Sequence, residues 1–448
     1  MSGVWTAEKI IALAPDAASA KAGKELATAR KWVTFGADER SAWGECQGSG
    51  SKPYQVQIDL SEPAFKCSCP SRKFPCKHSL ALFLMLAGSA DAFAGKAPPA
   101  WVQEWLKGRA QRNEQKAKKA ESAAPVDPEA QAKRAAEREK KVAAGLKEAE
   151  LWLHDLVRQG LAAVQGRPMS FWESPAARMV DAQAPGVARI IREMAATVSS
   201  GEGWQDRLLE QLSRLHLLLE AYGRRDALSP ELQADVRAII GWTQSQDELF
   251  ARAGVRDVWL ALGQRTDLED RLRVQRTWLV GKSSGTSALV LQFAHGTQPF
   301  EASLIAGTSF EAELVFYPSA WPMRAMIKAR FGAAAGLEAL PGAPSIAAAA
   351  GKYAEALAAC PWIERVGWSL SSVTPYYVAG SWRLRDSEGR EVPLPPRYSR
   401  GWQLAAASGG KPIAVFGEFD GRVLLPLSMR AEEGFTLLSP ATESKASA

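Results

Sequence analysis

The chain has 448 residues, a formal net charge of +6 and an isoelectric point near 9.0. At this length roughly two to four domains are expected, each with a hydrophobic core of its own. Apolar residues make up 46% and charged residues 23% of the sequence, which excludes a largely disordered chain. The positive charge is compatible with an anionic partner, but it is spread over a large surface and does not identify one.

The sequence also argues against membrane insertion and export. No segment approaches the roughly 20 consecutive apolar residues that a membrane-spanning helix needs. The most apolar run, Leu80 to Ala87, is far shorter and is predicted to be a buried helix. The segment Met1 to Ala14 lacks a basic start followed by a long apolar core, so we expect no export signal. These observations predict a cytoplasmic protein.

The N-terminal part of the chain begins with helical patterns and then changes to strand patterns. Thr6 and Asp16 are placed to cap two short helices. From Lys31 to Leu60 the residue pattern predicts strands, with a hairpin loop over Gly48 to Pro53. Within Tyr54 to Leu60 every second residue is apolar, which predicts a strand with one buried face and one solvent-exposed face. This predicted sheet leads directly to a cluster of cysteines.

Three of the five cysteines and one of the four histidines lie in that cluster. They form two pairs, Cys67 with Cys69 and Cys76 with His78, and one residue separates the members of each pair. Because residues two apart in an extended segment point the same way, each pair can direct its ligand atoms to one point in space. The intervening segment contains two prolines, which favour a turn that brings the pairs face to face.

Three thiolates and one imidazole form the ligand set of a structural zinc site, because four protein ligands leave no position for the water of a catalytic zinc. Sulfur ligands favour zinc over calcium and magnesium, although ligand type alone does not exclude iron or copper. The alternatives are unligated thiols or a disulfide, and a reducing compartment works against the disulfide. We therefore predict one structural Zn²⁺ bound by Cys67, Cys69, Cys76 and His78.

The spacing and its context resemble the SWIM zinc finger. That pattern is Cys-x-Cys, a gap of variable length and Cys-x-His, present here as Cys67-Ser68-Cys69 and Cys76-Lys77-His78. Trp43-Gly44-Glu45 and the strand-like segment Tyr54 to Leu60 precede it, and an apolar helix-like run follows it. The finger covers about a tenth of the chain.

A longer segment, from Ala14-Pro15-Asp16 to the region of Leu151 to Leu156, resembles bacterial SWIM proteins of similar length. Those proteins are encoded beside MoxR-type AAA ATPases and von Willebrand factor A-domain proteins. The resemblance implies a role in a chaperone-like or metal-linked assembly with these two partners.

A change in composition after the finger predicts a linker. Lys107 to Ala144 is rich in Ala, Lys, Arg, Glu and Gln, contains no aromatic residue and is interrupted by Ala124 to Pro128. Such a segment buries too little apolar surface to offset its ordering entropy, so we expect either disorder or a solvated helix. Its first part is basic and forms either a solvated face or an arm that contacts phosphates. The basic residues are Lys107, Arg109, Arg112, Lys116, Lys118 and Lys119.

Residues 145–262 have helical patterns. Apolar residues recur at helical spacing from Leu208 to Tyr222, which predicts a core-facing stripe in a helical bundle or a stack of helical pairs. No Cys or His lies three or four residues from the remaining histidines, so we assign them no chemistry and expect structural or surface roles. They are His154, His216 and His295. The remaining cysteines, Cys46 and Cys360, are predicted to be small buried side chains.

Strand patterns return from Val274 to the end of the chain. Helices are expected at Met323 to Phe331 and Ala347 to Ala359, which makes this region α+β. Asp420-Gly421 between two strand patterns predicts a tight hairpin turn. Gly281-Lys282-Ser283 is similar to the end of a phosphate-binding loop, but the earlier glycine of that motif is absent, so we reject a nucleotide site there.

These observations predict an α+β multidomain protein with a small zinc-stapled α/β finger module, a central all-helical domain and a C-terminal mixed β-rich domain. The expected bounds are 1–106 for the N-terminal module with its finger at about 54–90, 107–144 for the linker, 145–265 for the helical domain and 270–440 for the β-rich α+β domain.

The functional hypothesis is a non-enzymatic zinc-finger protein that binds a macromolecule, either nucleic acid or protein. Arg72, Lys73 and Lys77 surround the predicted metal site, and such residues suit contacts with DNA or RNA. Phe74 lies among them and can stack on a base, although we expect it to be packed. The alternative, an adaptor subunit of the MoxR-type assembly, follows from the resemblance. A zinc-dependent hydrolase is least favoured because the ligand set is full and no catalytic signature stands out elsewhere.

Overall fold

The computed structural model describes residues 5–15, 17–48, 52–61, 64–71, 73–121, 128–269, 272–296, 298, 300 and 304–438. Over these residues the chain forms an N-terminal finger module, a helical middle region and a C-terminal β-rich region. The predicted α+β fold class is confirmed.

The N-terminal module packs helices on both faces of a small antiparallel sheet. Its helices are α1 (Ala7–Ala12), α2 (Ala17–Leu26), α3 (Lys77–Gly88) and α4 (Ala100–Glu121). Its strands, in the sheet order β1-β2-β3-β4, are β1 (Trp32–Ala37), β2 (Ser41–Cys46), β3 (Tyr54–Asp59) and β4 (Ala64–Cys67). The Thr6 hydroxyl caps α1 by accepting the Lys9 backbone N–H at 3.4 Å, whereas the predicted cap Asp16 lies outside the described residues.

Alternation along β3 directs its side chains to two different layers. Val56 and Ile58 are fully buried in the core against α3. Gln57 and Asp59 point to the opposite face, which the sequence predicts to be exposed to solvent. That expectation is wrong, because both side chains are buried. Helix α4 lies over this end of the sheet, and its Arg109 forms an ion pair with Asp59 at 3.3 Å.

The helical region is a bundle with a continuous apolar core. Its helices are α5 (Pro128–Gln159), α6 (Met169–Asp181), α7 (Pro185–Val198), α8 (Trp204–Gly223), α9 (Pro230–Ile240) and α10 (Gln246–Phe250). Leu208, Leu212 and Leu215 of α8 lie in this core, as the stripe predicts. The boundary expected at residue 145 falls inside α5, and Val142 is already buried in the bundle core. Much of the segment expected to be a linker is therefore helical, and part of it packs.

A closed barrel follows the bundle. Its strands are β5 (Val255–Glu269), β6 (Leu272–Gly281), β7 (Ser287–His295), β8 (Thr308–Phe316) and β9 (Arg324–Gly336), in the order β5-β6-β7-β9-β8. Strand β5 begins at Val255, whereas the helical domain was predicted to extend to residue 265. The helix expected at Met323 to Phe331 is wrong, because this segment pairs with β8 as β9 and also meets β7 in parallel. Barrel pairing therefore overrides the helical preference of its Ala, Met and Arg residues.

The last region packs helices against a second antiparallel sheet. Its elements are α11 (Ile346–Ala359), β10 (Val366–Val378), β11 (Ser381–Arg385), β12 (Glu391–Pro393), α12 (Gly401–Ser408), β13 (Ile413–Phe419), β14 (Leu424–Ala431) and β15 (Gly434–Leu437). The sheet order is β12-β11-β10-β13-β14-β15. Asp420 and Gly421 lie in the turn between β13 and β14, where Gly421 has a φ of +93° that favours glycine.

The finger module contacts the barrel through α1. The Lys9 ammonium group is buried and donates to the Gly307 carbonyl at 2.8 Å, and burial lowers the pKa of Lys9. Ile305 joins the apolar core of the N-terminal module. Among the helices of the described residues, none combines the length and hydropathy that crossing a membrane requires.

Candidate metal centre

The four predicted ligands come from the ends of two elements and the loop between them. Cys67 is the last residue of β4, and Cys69 follows it by two residues. Cys76 caps the N-terminus of α3, and His78 lies in the first turn of that helix. Because β4 and α3 share the core beneath the loop, the two pairs are held face to face.

The ligand atoms of Cys67, Cys69, Cys76 and His78 all lie within 4.8 Å of one another. The Nδ1 atom of His78 is 3.9 Å from the Sγ atoms of Cys67 and Cys76. A tetrahedral zinc with Zn–S bonds near 2.3 Å and Zn–N bonds near 2.0 Å requires ligand separations of about 3.5 to 3.8 Å. The four side chains are therefore positioned to bind one zinc ion, as the sequence predicts. No other such group of at least three His, Cys, Asp or Glu side chains occurs in the described part of the chain.

The thiols differ in acidity when no metal is bound. A hydrogen bond with Cys67 lowers the pKa of Cys76, and the N-terminus of α3 also favours a thiolate at that position. The same hydrogen bond, together with burial, raises the pKa of Cys67. Burial raises the pKa of Cys69. Because zinc binds thiolates, its binding releases protons and weakens as the pH falls.

The surroundings of the centre hold the His78 ring in place. This ring is buried and lies 5.0 Å from the ring of Tyr54, measured between centroids. The Ser79 hydroxyl lies 3.4 Å from Cys76 Sγ. Beneath the loop, Phe65 contacts both Phe74 and Phe83 edge-on. The centre is thus closed by apolar packing on one side.

Three of the four side chains predicted to contact a partner lie beside this centre. Lys73 and Lys77 are exposed. Phe74 is half-buried and packs against Phe65 with a centroid distance of 6.1 Å, so much of its ring is engaged within the module. Arg72 lies outside the described residues.

Arg109 has a role that the sequence does not reveal. Its charge suggests a phosphate-contacting arm, but its guanidinium group pairs with Asp59 and lies 5.7 Å from the Trp105 ring. This side chain fixes α4 on the sheet. The sequence carries no signal for the contact, because fifty residues separate its partners.

The remaining cysteines are buried. The Cys46 thiol lies 3.9 Å from the Gln47 carbonyl oxygen. Cys360 lies beside Asp235, and burial, followed by the nearby carboxylate, raises the pKa of its thiol to about 12. Neither belongs to the metal cluster.

Two of the remaining histidines meet across the bundle. The rings of His154 on α5 and His216 on α8 lie 5.9 Å apart at the exposed surface. Spacing along one helix does not reveal this pair, because its members belong to different helices. His295 is exposed at the end of β7.

Two known domain families match this chain. Residues 54–87 match the SWIM zinc finger, which includes all four ligands. Residues 137–240 match the SWIM-associated four-helix bundle domain, which covers the helical bundle from within α5 to the end of α9. The chain therefore contains a SWIM zinc finger and its associated bundle. No curated protein and no solved structure shows significant similarity to the chain.

Proposed function

We propose that the chain is a non-enzymatic nucleic-acid-binding protein whose zinc holds a basic surface in a fixed shape. One observation carries the proposal. Residues 64–88, from β4 to the end of α3, contain four cationic side chains and no carboxylate. Three of them, Lys66, Lys73 and Lys77, are exposed in the structure. Such a surface attracts phosphates without demanding a particular sequence.

The zinc has a structural role in this proposal. Four protein ligands complete its coordination, so no position remains for a reactive water. Bound zinc would fix the loop that carries Lys73 and reduce the entropy that this loop loses when it contacts a partner. The buried Phe65 and Phe83 and the half-buried Phe74 support the loop from below.

The test replaces the two lysines beside the zinc ligands and leaves the ligands intact. Lys73→Glu combined with Lys77→Glu is expected to weaken binding of labelled DNA in fluorescence anisotropy. The slope of log affinity against log salt should fall by about 1 to 2, because each lost phosphate contact removes released counterions. Zinc content should stay at one ion per chain.

The matched control carries the same change of charge away from the finger. Lys282 and Lys352 are exposed in the C-terminal half of the chain, so Lys282→Glu combined with Lys352→Glu should leave binding almost unchanged. Absence of DNA and RNA binding at low salt would refute the proposal. Equal losses in the two double variants would assign the effect to net charge rather than to the finger.

A second proposal is an adaptor that docks a protein through its bundle, and the MoxR-type ATPase is the partner that the sequence resemblance suggests. The observation that favours it is a set of large apolar side chains left exposed on the bundle. They include Leu151, Leu209 and Leu217, with exposed fractions of 66%, 51% and 43%. Leu151→Glu with Leu209→Glu should abolish capture of the purified ATPase, whereas the lysine variant of the finger should not. Unchanged capture would rule out the bundle surface.

A further inference from the structure

The barrel has a strand topology with a known relation to ligand binding. It closes in the order β5-β6-β7-β9-β8, and its third and fifth strands, β7 and β9, pair in parallel, whereas its other pairs are antiparallel. The long first strand, β5, pairs with β8 along its first part and with β6 along the rest, and its register shifts between Ala261 and Gly263. This is the Greek-key arrangement of the OB fold, which binds oligonucleotides or oligosaccharides on its second and third strands. The corresponding face of this barrel is the outer side of β6 and β7.

The second sheet covers one half of that face. Trp278 of β6 is buried there, and its ring lies 6.5 Å from the ring of Phe416 of β13, measured between centroids. Leu427 of β14 belongs to the same apolar cluster, and Leu289 near the start of β7 packs against it. A ligand on this face therefore has access to the other half, toward the end of β7.

Two ring-bearing side chains are exposed on the accessible half. Phe293 has an exposed fraction of 51%, and His295 is exposed as well. Gln292 and Ala294 alternate with them and are buried on the opposite side of the strand. Phe293 and His295 therefore lie on one face of β7, and two residues along a strand span about 6.7 Å. We call these two side chains the aromatic row.

The neighbours of the aromatic row favour bases over sugars as its ligand. Val274 of β6 lies opposite Phe293, and Leu272 lies opposite His295. An oligosaccharide would place hydroxyl groups against these apolar side chains without hydrogen-bond partners, which is costly. The flat faces of nucleobases instead stack on phenyl and imidazole rings and require no hydrogen bond for that contact.

The charges beside the aromatic row are already paired. Arg276 of β6 forms ion pairs with Asp267 and Glu269 of β5, each at 2.6 Å. The row therefore suits stacking, and contacts with phosphates need another surface. The finger provides one and packs against the connection that follows β7, because Ile305 joins its apolar core and the Gly307 carbonyl accepts its Lys9.

We propose that the end of β7 binds single-stranded nucleic acid, with the rings of Phe293 and His295 stacking on unpaired bases. The inference rests on the proposed function, since it names the form of nucleic acid that the chain takes and adds a second contact to the basic surface at Lys73 and Lys77. Base faces in a duplex are stacked on neighbouring pairs, so an unpaired strand is needed to offer them.

The central test removes one ring and keeps an apolar side chain. Phe293→Leu should weaken binding of a labelled single-stranded thymidine decamer about tenfold in fluorescence anisotropy, because stacking on an aromatic ring is lost. The slope of log affinity against log salt should not change, since no phosphate contact is removed. Phe293→Trp should bind as the wild type does, because an indole also stacks. A merely apolar contact would not distinguish leucine from tryptophan in this way.

The matched control removes a ring of equal exposure elsewhere. Tyr377 on β10 also has an exposed fraction of 51%, and Tyr377→Leu should bind the decamer as the wild type does. His295→Ala should weaken binding, again without a change in the salt slope. Zinc content and melting temperature should be nearly the same in all these variants, because the substituted side chains are exposed.

A duplex of the same length separates the aromatic row from the basic surface. Its binding should depend on Lys73 and Lys77 and not on Phe293. Wild-type affinity for the decamer in Phe293→Leu and His295→Ala, with a loss in the lysine double variant, would overturn the aromatic row and leave the proposed function standing. Equal losses of decamer and duplex binding in Phe293→Leu would also overturn it. Failure of the wild type to bind either nucleic acid would overturn both proposals.

Discussion

The finger and the helical bundle are stabilised in different ways. The described residues between Cys67 and Cys76 form no helix or strand, and four ligand atoms within 4.8 Å of one another hold this segment in place. The bundle instead buries apolar side chains along several helices, including Leu153, Trp172 and Ile191. One region depends on a few atoms at a single point, while the other distributes its stabilisation over a large core.

This difference determines how each region responds to damage. A metal site concentrates its stabilisation, so the loss of one ligand affects the whole set. A packed core loses only the contacts of the substituted side chain and the cavity that it leaves. We therefore expect substitutions in the finger to act in an all-or-none manner and those in the bundle to act in proportion to the contacts they disturb.

Removal of one zinc ligand should have the largest effect. Cys76→Ser is expected to abolish stoichiometric zinc and unfold the finger, because structural zinc sites contribute on the order of 10 kcal/mol to folding. The bundle should keep its helicity. Elemental analysis and limited proteolysis measure the two outcomes.

The control for this prediction is Cys46→Ala, which removes a buried thiol that does not belong to the cluster. It should retain one zinc per chain. A Cys76→Ser protein that still holds stoichiometric zinc with normal affinity would refute the ligand set.

The bundle can be disturbed most directly where two helices approach closely. A Cβ atom at Gly186 of α7 would lie 1.8 Å from the Ile239 carbonyl oxygen of α9. Gly186→Ala should therefore force the helices apart and cost about 3 kcal/mol in a denaturant titration. Zinc content should not change.

Gly223→Ala is the matched control in the bundle. Gly223 ends α8, and a Cβ atom there would meet nothing within 4 Å. This variant should be as stable as the wild type or slightly more stable. Equal losses in both variants would indicate that helix separation is not the cause.

The contact of α4 with the sheet should have an intermediate effect. The Asp59 carboxylate is almost fully buried and pairs with the Arg109 guanidinium group. Arg109→Gln is expected to destabilise the finger module by about 2 kcal/mol, because it leaves a buried carboxylate without its charged partner. A double-mutant cycle with Asp59→Asn isolates the coupling energy. A coupling near zero would mean that other contacts hold α4 in place.

The smallest expected effect concerns the contact between the bundle and the β-rich region. Asp235 of α9 accepts the Ala320 backbone N–H at 2.8 Å, and burial raises the pKa of this carboxyl group. The folded state therefore favours the neutral acid. Its stabilising contribution is present in acid and is lost as the pH rises from the ordinary Asp value through the raised one.

Asp235→Asn should remove this dependence on pH while keeping an acceptor for Ala320. The variant should gain melting temperature relative to the wild type at neutral pH and lose that advantage in acid. Thermal unfolding at a series of pH values measures the difference. A constant difference across the series would contradict a titrating Asp235.

The metal ligands were predictable because their signal is local. Cys67, Cys69, Cys76 and His78 lie within twelve residues, and the geometry of a short turn relates their spacing to a tetrahedral site. The stripe from Leu208 to Tyr222 was predictable for a similar reason, since helical periodicity shows which side faces the core.

Other features depend on contacts between distant segments. The residues of β9 have a helical preference, and pairing with β8 and β7 makes them a strand. Gln57 and Asp59 alternate as a solvated face should, and α4 buries them. The His154 and His216 rings meet only because α5 and α8 lie side by side. Apart from β8, which directly precedes β9 along the chain, these partners are distant in sequence.

The sequence by itself therefore determined the zinc ligands, the α+β class and the core-facing stripe of the bundle. These follow from the periodicity of helices and strands and from the ligand preferences of one metal. Only the tertiary structure decided that α4 covers the finger sheet and that β9 pairs as a strand of the barrel. Each of these depends on which surfaces exclude water from one another, and a one-dimensional pattern does not contain that information.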